Sequence, residues 1–211
     1  TCPSCGGAAQ RETDTMGGFA CSSWYFIRFA SPKYDKAFAE PKALAYWLPV
    51  DLYVGGTEHA VMHLLFARFW TKVLYDAGLV HFNEPFSKLM NQGMLLASDG
   101  QKMSKSRPAT VVIPETVVAR FGADAVRCYE MFMGPFDQEV QWDEKGLAGL
   151  YRFLSRVWEI ALSAVHGKGG ADAALRKMTH KTINRVTTDL ERLHFNTMIA
   201  ALMEYINYLQ D

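Results

Sequence analysis

The stretch Lys102-Met103-Ser104-Lys105-Ser106, announced by Gly93-Met94-Leu95-Leu96 and followed by Arg107-Pro108, decides how the rest of the chain is read. Two lysines and two serines within five positions fit neither the period of a core strand nor that of an amphipathic helix, so the spacing predicts an exposed loop. Such a loop suits a polyphosphate: ammonium groups neutralise the oxygens as point charges, while hydroxyls and loop amides donate hydrogen bonds. A solvated basic turn is the plain alternative.

At 211 residues, 49% hydrophobic and 21% charged, the chain has room for one large or two small globular domains. Lys+Arg and Asp+Glu balance at 22 each, so no net positive field advertises a nucleic acid, and RNA contacts would come from local patches. The sequence has no apolar run long enough for a membrane span, and Thr1-Cys2-Pro3-Ser4-Cys5 is no signal peptide. A cytoplasmic protein is expected. The four cysteines, Cys2, Cys5, Cys21 and Cys128, do not suggest a disulfide framework, in keeping with a reducing compartment. The first residue is not Met and the last, Asp211, falls within an apolar-periodic segment, so a piece of a longer protein is expected.

Cys2-Pro3-Ser4-Cys5-Gly6-Gly7 has the spacing of half a zinc knuckle. A closed site needs four ligands, so Zn2+ is expected at Cys2 and Cys5 only with ligands from upstream; unpaired thiols are the other reading. Arg11 to Met16 reads as a β-tolerant segment leading to Gly17-Gly18, and Ser22-Ser23-Trp24-Tyr25-Phe26 as the start of an aromatic-rich helix capped by Ser22 or Ser23. The hydroxyls of Ser22 and Tyr25 would lie near a pocket mouth, available to orient a small substrate.

Pro49 to Val54 reads as a short buried strand broken by Gly55-Gly56. Thr57 then caps a long helix whose apolar positions Val61, Leu64, Leu65, Phe69 and Val73 keep the helical period until Gly78. A strand, a Gly-Gly turn and a helix let a nucleotide approach the backbone at the carboxyl edge of a parallel sheet. At the first turn Glu58 can accept hydrogen bonds from ribose hydroxyls, and His59 and His63 share one helix face. Three readings of the pair stay open: core or surface histidines, a substrate pocket, or metal ligands with no evident third partner. Leu89 to Leu96 is apolar enough for a central strand, with Gly93 permitting close approach and Met94 and Leu95 offering main chain to a flat adenine ring.

Beyond the loop, Pro114-Glu115 opens a short helix that Gly122 closes, and Asp124 caps another through Phe132 before Gly134-Pro135. Arg120 and Arg127 read as surface residues. From Asp143 the pattern is purely helical. Leu147, Leu150, Leu154, Val157, Trp158, Ala161 and Val165 repeat at three and four up to Gly167 and Gly169-Gly170. Leu175 to Leu190 marks a second helix, and Asn196 caps a third that carries Ile199, Leu202, Met203, Ile206 and Leu209. The change of pattern predicts a domain boundary near Gln138 to Asp143 and a helical bundle cut short.

Lys-Met-Ser-Lys-Ser is the signature loop of class I aminoacyl-tRNA synthetases, which this sequence resembles letter for letter at 102–106. Gly55-Gly56-Thr57-Glu58-His59-Ala60-Val61-Met62-His63-Leu64-Leu65 is similar, within that class, to the leucyl-tRNA synthetases. Glu12 to Met16, Ser22 to Tyr25, Tyr46 to Asp51, Gly122 to Asp124 and Phe195 to Thr197 resemble them too. The likeness spans essentially the whole chain. It implies an α/β fold: the second half of a class I Rossmann-like parallel-sheet catalytic domain over residues 1–142, then the start of a helical anticodon-binding domain over 143–211. The reaction implied is activation of leucine by ATP, carried with Mg2+, to leucyl-adenylate, and transfer to tRNA(Leu).

By the same likeness, Lys102 and Lys105 are catalytic and, with Ser104, hold the phosphates, while Gly55, Gly56 and Glu58 hold ribose and Met94 and Leu95 adenine. Ser22, Tyr25, His59 and His63 border a leucine pocket. The partners implied are leucine and tRNA(Leu), with no membrane, and the full-length protein is expected to be a monomer. In the family the HIGH motif and an inserted editing domain lie upstream, so this stretch alone is expected to make no adenylate. Two departures stand out: the family usually continues Gly-Asn where this chain has Pro108-Ala109 after Arg107, and Gly17 and Cys21 stand where many relatives carry aspartate. Competing expectations are a sister synthetase for isoleucine, valine or methionine, and a noncatalytic paralogue that kept the fold as a tRNA- or protein-binding module.

Overall fold

The computed structural model describes residues 1–15, 17–166 and 170–210. Met16, Gly167, Gly169 and Asp211, which the sequence reading used as segment ends, lie outside the described residues. The chain divides into two compact units, Thr1–Asn91 and Gln92–Asp211.

In the first unit, α1 (Phe19–Ser22), α2 (Tyr25–Phe29), α3 (Pro41–Trp47) and α4 (His63–Asp76) accompany strand β1 (Tyr53–Gly56). β1 pairs with β2 (Leu89–Gln92), whose last residue opens the second unit. Pro41 stands in the first turn of α3, where its missing N–H has no partner to lose. Phe26, Ile27, Leu44, Ala67, Val80 and Phe82 form the core, each large side chain contributing about 1.5–3 kcal/mol by leaving water. Gly78 follows α4 at φ 69, a left-handed turn that glycine adopts without a Cβ penalty, and the helix stops there as its sequence predicts.

Several local expectations for this unit are corrected. Ser22 and Ser23 cap no helix: Ser22 ends α1, and buried Ser23 donates its hydroxyl to the Ala20 carbonyl at 2.6 Å. Arg11 to Thr15 forms no strand. Gly55 and Gly56 continue β1 rather than breaking it, and Thr57–His59 makes a single 3-10 turn without a Thr57 side-chain cap. Met62, at φ −109 and ψ −101, is outside the helical region, so α4 starts only at His63.

The buried face of α4 also differs from the apolar stripe. Val61, Leu65 and Phe69 are 78%, 56% and 63% exposed, whereas His63, Leu64, Ala67 and Thr71 are buried. Small Ala67 and Thr71 let the helix axis come close to its neighbours, and the Thr71 hydroxyl donates to the Ala67 carbonyl at 2.8 Å, so that buried hydroxyl is satisfied. Arg68 and Lys72, on the exposed side, both reach Glu84 at 2.7 and 2.9 Å. The paired hydrogen bonds from Arg68, then the one from Lys72, bring the Glu84 carboxyl down to about 2.

The second unit is built from β3 (Leu95–Leu96), α5 (Pro114–Phe121), α6 (Ala123–Phe132), β4 (Val140–Gln141), α7 (Glu144–His166), α8 (Ala173–Glu191) and α9 (Phe195–Gln210). β3 runs parallel to β4 in the register Leu95 to Val140. α6 packs on α5, α7 and α9, and α8 packs on α9. Val117, Tyr129, Trp142, Leu147, Leu150 and Ile199 lie at the centre of the core they share. Gly122, at φ 81, closes α5 and starts α6, so Asp124 sits inside the first turn of α6 rather than capping it. Asn196 is likewise inside α9. Trp158 and Val165 continue the heptad-like pattern of α7 yet are 67% and 77% exposed.

The expected central strand from Leu89 to Leu96 is two strands in two separate sheets, interrupted at Gly93 and Met94. The physical reason is at Gly93. Its amide donates to the Phe136 carbonyl at 2.8 Å, and a Cβ on it would overlap the Gln138 carbonyl. Parallel pairing is present, but among the described residues the sheets have two strands each, not the broad layer expected from the sequence.

At the N-terminus of α8, Asp172 accepts the Leu175 amide at 2.7 Å, satisfying one of the donors every helix start leaves free. Asp172→Ala is expected to lower unfolding free energy by about 1 kcal/mol. Urea denaturation measures it, and an unchanged midpoint would refute the cap.

Candidate functional site

The lysine loop grows out of a tight turn. The Ala97 amide donates to the Gln101 carbonyl at 2.8 Å, Gly100 takes φ 76, and Leu96 forms an isolated bridge with Lys102. Farther on, the Ser104 and Ser106 hydroxyls lie 2.8 Å apart, and the Ser106 amide donates to Ser104 Oγ at 3.3 Å. Lys102 and Lys105 are exposed, and neither forms an ion pair among the described residues. Two free ammonium groups on a loop whose hydroxyls are already ordered make an arrangement ready for anionic oxygens.

Met94 and Leu95, close before this loop, line a cavity of about 330 Å³ with Glu130, Met133, Phe136 and Phe195. The Met94 carbonyl is taken by the Val140 amide at 3.1 Å. Gly93, expected to leave room for a ligand, instead leaves room for the Gln138 backbone.

In the first unit, Tyr25 and His63, two of the four residues named for a small-substrate pocket, are joined by one that sequence reasoning missed. The Tyr25 and Tyr53 hydroxyls lie 2.8 Å apart, and Tyr53 Oη is 2.7 Å from His63 Nε2. Tyr53 is stacked on Phe86 at 3.8 Å between ring centroids, which fixes its plane. Burial first, and the neighbouring Tyr25 second, raise the Tyr53 pKa, so the phenol keeps its proton. Burial first, and His59 second, lower the His63 pKa. A neutral His63 accepts from Tyr53 at Nε2 and carries its proton on Nδ1, and Tyr53 then accepts from Tyr25. The only sequence signal for Tyr53 was its place two residues before Gly55-Gly56.

His59 and His63 face each other edge-on at 6.3 Å, and Phe19, also missed, meets His59 edge-on at 6.4 Å. His59 Nδ1 is buried and, among the described residues, without a partner. Ser22 is exposed and points its hydroxyl at the Phe19 carbonyl, 3.4 Å away. Glu58 is exposed, with its carboxylate folded against Gly56 so closely that a Cβ there would overlap it. An apolar cavity of about 410 Å³ is lined by Tyr25, Phe29, Trp47, Leu48 and Tyr53 but, among the described residues, not by Ser22, His59 or His63.

The lowered His63 pKa sets a pH dependence. The unfolded chain takes up a proton near the ordinary value of 6.5 while the fold resists it, so this residue's stabilising effect is whole above that value and is lost as pH falls through the lower folded pKa. Stability should therefore fall as pH drops below about 6.5, and by less in His63→Gln. Equal slopes in the two proteins, measured by urea titration, would refute the assignment.

Cys2 and Cys5 sit on a turn closed by the Gly6 amide on the Cys2 carbonyl at 2.8 Å, and the amides of Cys5 and then Ser4 lower the Cys2 thiol pKa. Among the described residues no group of three or more His, Cys, Asp or Glu side chains gathers as a metal shell. Two thiols supply half of a tetrahedral zinc site, so Cys2 and Cys5 do not by themselves fit a closed zinc centre.

Residues 7–143, well over half of the chain, match the family described as tRNA synthetases class I (I, L, M and V). The chain belongs to the class I tRNA synthetases. Among curated members of this family, leucine–tRNA ligase of Dehalococcoides mccartyi strain 195 is 53% identical over 99% of this chain, which covers 26% of that relative. The corresponding ligase of Prosthecochloris aestuarii is 50% identical over 96% of the chain and is again covered to 26%. The chain thus spans about a quarter of the length of these synthetases. Among solved structures, the Agrobacterium radiobacter K84 agnB2 LeuRS in ternary complex with tRNA and LeuAMS matches at TM-score 0.87 and 38% identity, over 99% of this chain and 28% of that one. Mycobacterium tuberculosis methionyl-tRNA synthetase in complex with methionyl-adenylate shares the fold at TM-score 0.67 and 21% identity, over 90% of this chain and 38% of that one. An α/β class I synthetase fold is therefore established, and no described helix is long and apolar enough to cross a membrane.

Proposed function

We propose that this chain is part of a cytoplasmic leucine–tRNA ligase, residues 1–142 belonging to its catalytic domain and 143–211 opening its helical tRNA-binding domain. The observation that carries this reading is the likeness to leucine–tRNA ligases at 53% identity across 99% of the chain, the lysine loop included. Lys102, Ser104 and Lys105 engage the phosphates of ATP, brought as its Mg2+ complex, Gly55, Gly56 and Glu58 the ribose, and Met94 and Leu95 the adenine. Ser22, Tyr25, His59 and His63 border the leucine side chain. Adenylyl transfer needs no protein nucleophile, because the leucine carboxylate attacks the α-phosphate and pyrophosphate leaves. The protein's work is alignment and neutralisation of charge on the departing group.

The hydrogen-bonded chain Tyr25–Tyr53–His63 supports the same reading. A neutral His63, tied through Tyr53 to Tyr25, offers leucine an uncharged wall, which suits an aliphatic side chain better than an imidazolium would. The test is amino-acid-dependent ATP–pyrophosphate exchange by the full-length protein. Exchange driven by leucine well above isoleucine, valine and methionine is expected. Exchange driven by one of the others moves the protein to a sister synthetase, and none at all makes it a noncatalytic paralogue.

A further inference from the structure

We propose that Arg107, just past the lysine loop, is a positioning residue that clasps the loop's root, and that Asp99 is its anchor; the catalytic part of this inference rests on the ligase reading above. One guanidinium makes both contacts: Nη1 donates to Asp99 Oδ2 at 2.9 Å and Nη2 to the Lys102 carbonyl at 2.7 Å. The Arg107 amide also donates to the Ser104 carbonyl at 2.9 Å, and the Arg107 carbonyl accepts the Thr110 hydroxyl at 2.8 Å. Asp99 is fixed in turn, since its other oxygen accepts the Gln101 amide at 3.0 Å. The segment from 99 to 107 is thereby closed into a ring, with Lys102 bound at the neck and Lys105 at the tip.

Arg107 is an anchor and not a third phosphate ligand, because its charge is already met by Asp99 while those of Lys102 and Lys105 are met by nothing among the described residues. An ion pair this exposed adds little to folding stability. Its effect lies in where it holds the backbone: a planar fork reaching two acceptors at once fixes a geometry that a lysine cannot. Pro108 follows with a rigid φ and a 3-10 turn, Pro108–Thr110, so the clasp is stiff on its outer side as well.

The test uses the full-length protein with Arg107→Gln, Arg107→Lys, Asp99→Asn and the double variant Asp99→Asn/Arg107→Gln. Each single variant is expected to lower kcat of leucine-dependent exchange by about tenfold or more, with KM for ATP nearly unchanged, and the double variant to be no worse than either single one. Trypsin should cut after Lys105 several-fold faster in the Gln and Asn variants, a readout of loop order that does not require activity. If Asp99→Asn matches wild type in rate and cleavage, the clasp is overturned. A loss confined to KM and restored by Arg107→Lys overturns it equally, making Arg107 a phosphate ligand. Faster cleavage in both variants of a protein that shows no exchange supports the clasp while ending the ligase reading.

Discussion

On the ligase reading proposed above, Lys105→Ala in the full-length protein is expected to lower leucine-dependent ATP–pyrophosphate exchange by about 10²- to 10³-fold with little change in the affinity for ATP. The expectation follows from the lysine's position. Its ammonium is exposed and unpaired among the described residues, at the tip of a loop whose hydroxyls and backbone are already tied down. A preorganised cation stabilises the charge that accumulates on leaving pyrophosphate more than it stabilises bound triphosphate, so its loss falls on kcat. Lys102, whose carbonyl is held at the neck of the loop, should lose less, because its position follows from the backbone and its charge is farther from the tip. Pulsed measurement of exchange at saturating ATP decides the point. A Lys105→Ala enzyme with the wild-type rate would remove the loop from the chemistry.

The second large effect is on stability. Gly93→Val sets a branched side chain where the Gln138 carbonyl stands, and no rotamer can relieve a clash between Cβ and backbone. Either the Gly93 amide leaves the Phe136 carbonyl or β4 moves off β3, where the Val140 amide holds the Met94 carbonyl at 3.1 Å. A loss of about 3 kcal/mol is expected, at the upper end of overpacking. Gly149→Ala is the internal control: nothing lies within 4 Å of the Cβ it would add, and alanine in a helix is preferred by about 1 kcal/mol. Thermal melts of the three proteins would show Gly93→Val well below wild type and Gly149→Ala at or above it. A Gly93→Val protein that melts with wild type would mean that the strand junction yields freely.

These two residues also mark what the amino-acid pattern could and could not reveal. The lysine loop was legible because its residue types exclude regular structure, α5 and α6 because Pro114-Glu115 and Gly122 punctuate them, and α7 to α9 because apolar residues recur at three and four. The Gly93 break was not, since the segment that needs its space, around Gln138, is remote in sequence. The inward face of α4 was misjudged for a related reason: hydrophobicity favours Leu65 and Phe69, but close approach selected Ala67 and Thr71. Caps were overread at Ser22, Thr57 and Asn196, because a hydroxyl or amide near a helix start is a common arrangement and only local geometry decides its use. Tyr53 escaped because its importance comes from two partners on other elements, neither of which a linear pattern links to it.

The parallel pair β3 and β4 has a consequence for synthesis on the ribosome. Between the two strands the chain must first make α5 and α6, so closure of this pair is a distant contact whose entropic cost is met only after those local elements exist. As the polypeptide emerges, the pairing of Leu95 and Leu96 with Val140 and Gln141 waits until those two residues have left the exit tunnel. The pairing is thereby delayed for the whole of that interval, and a pause in translation before the codon for Val140 would lengthen it.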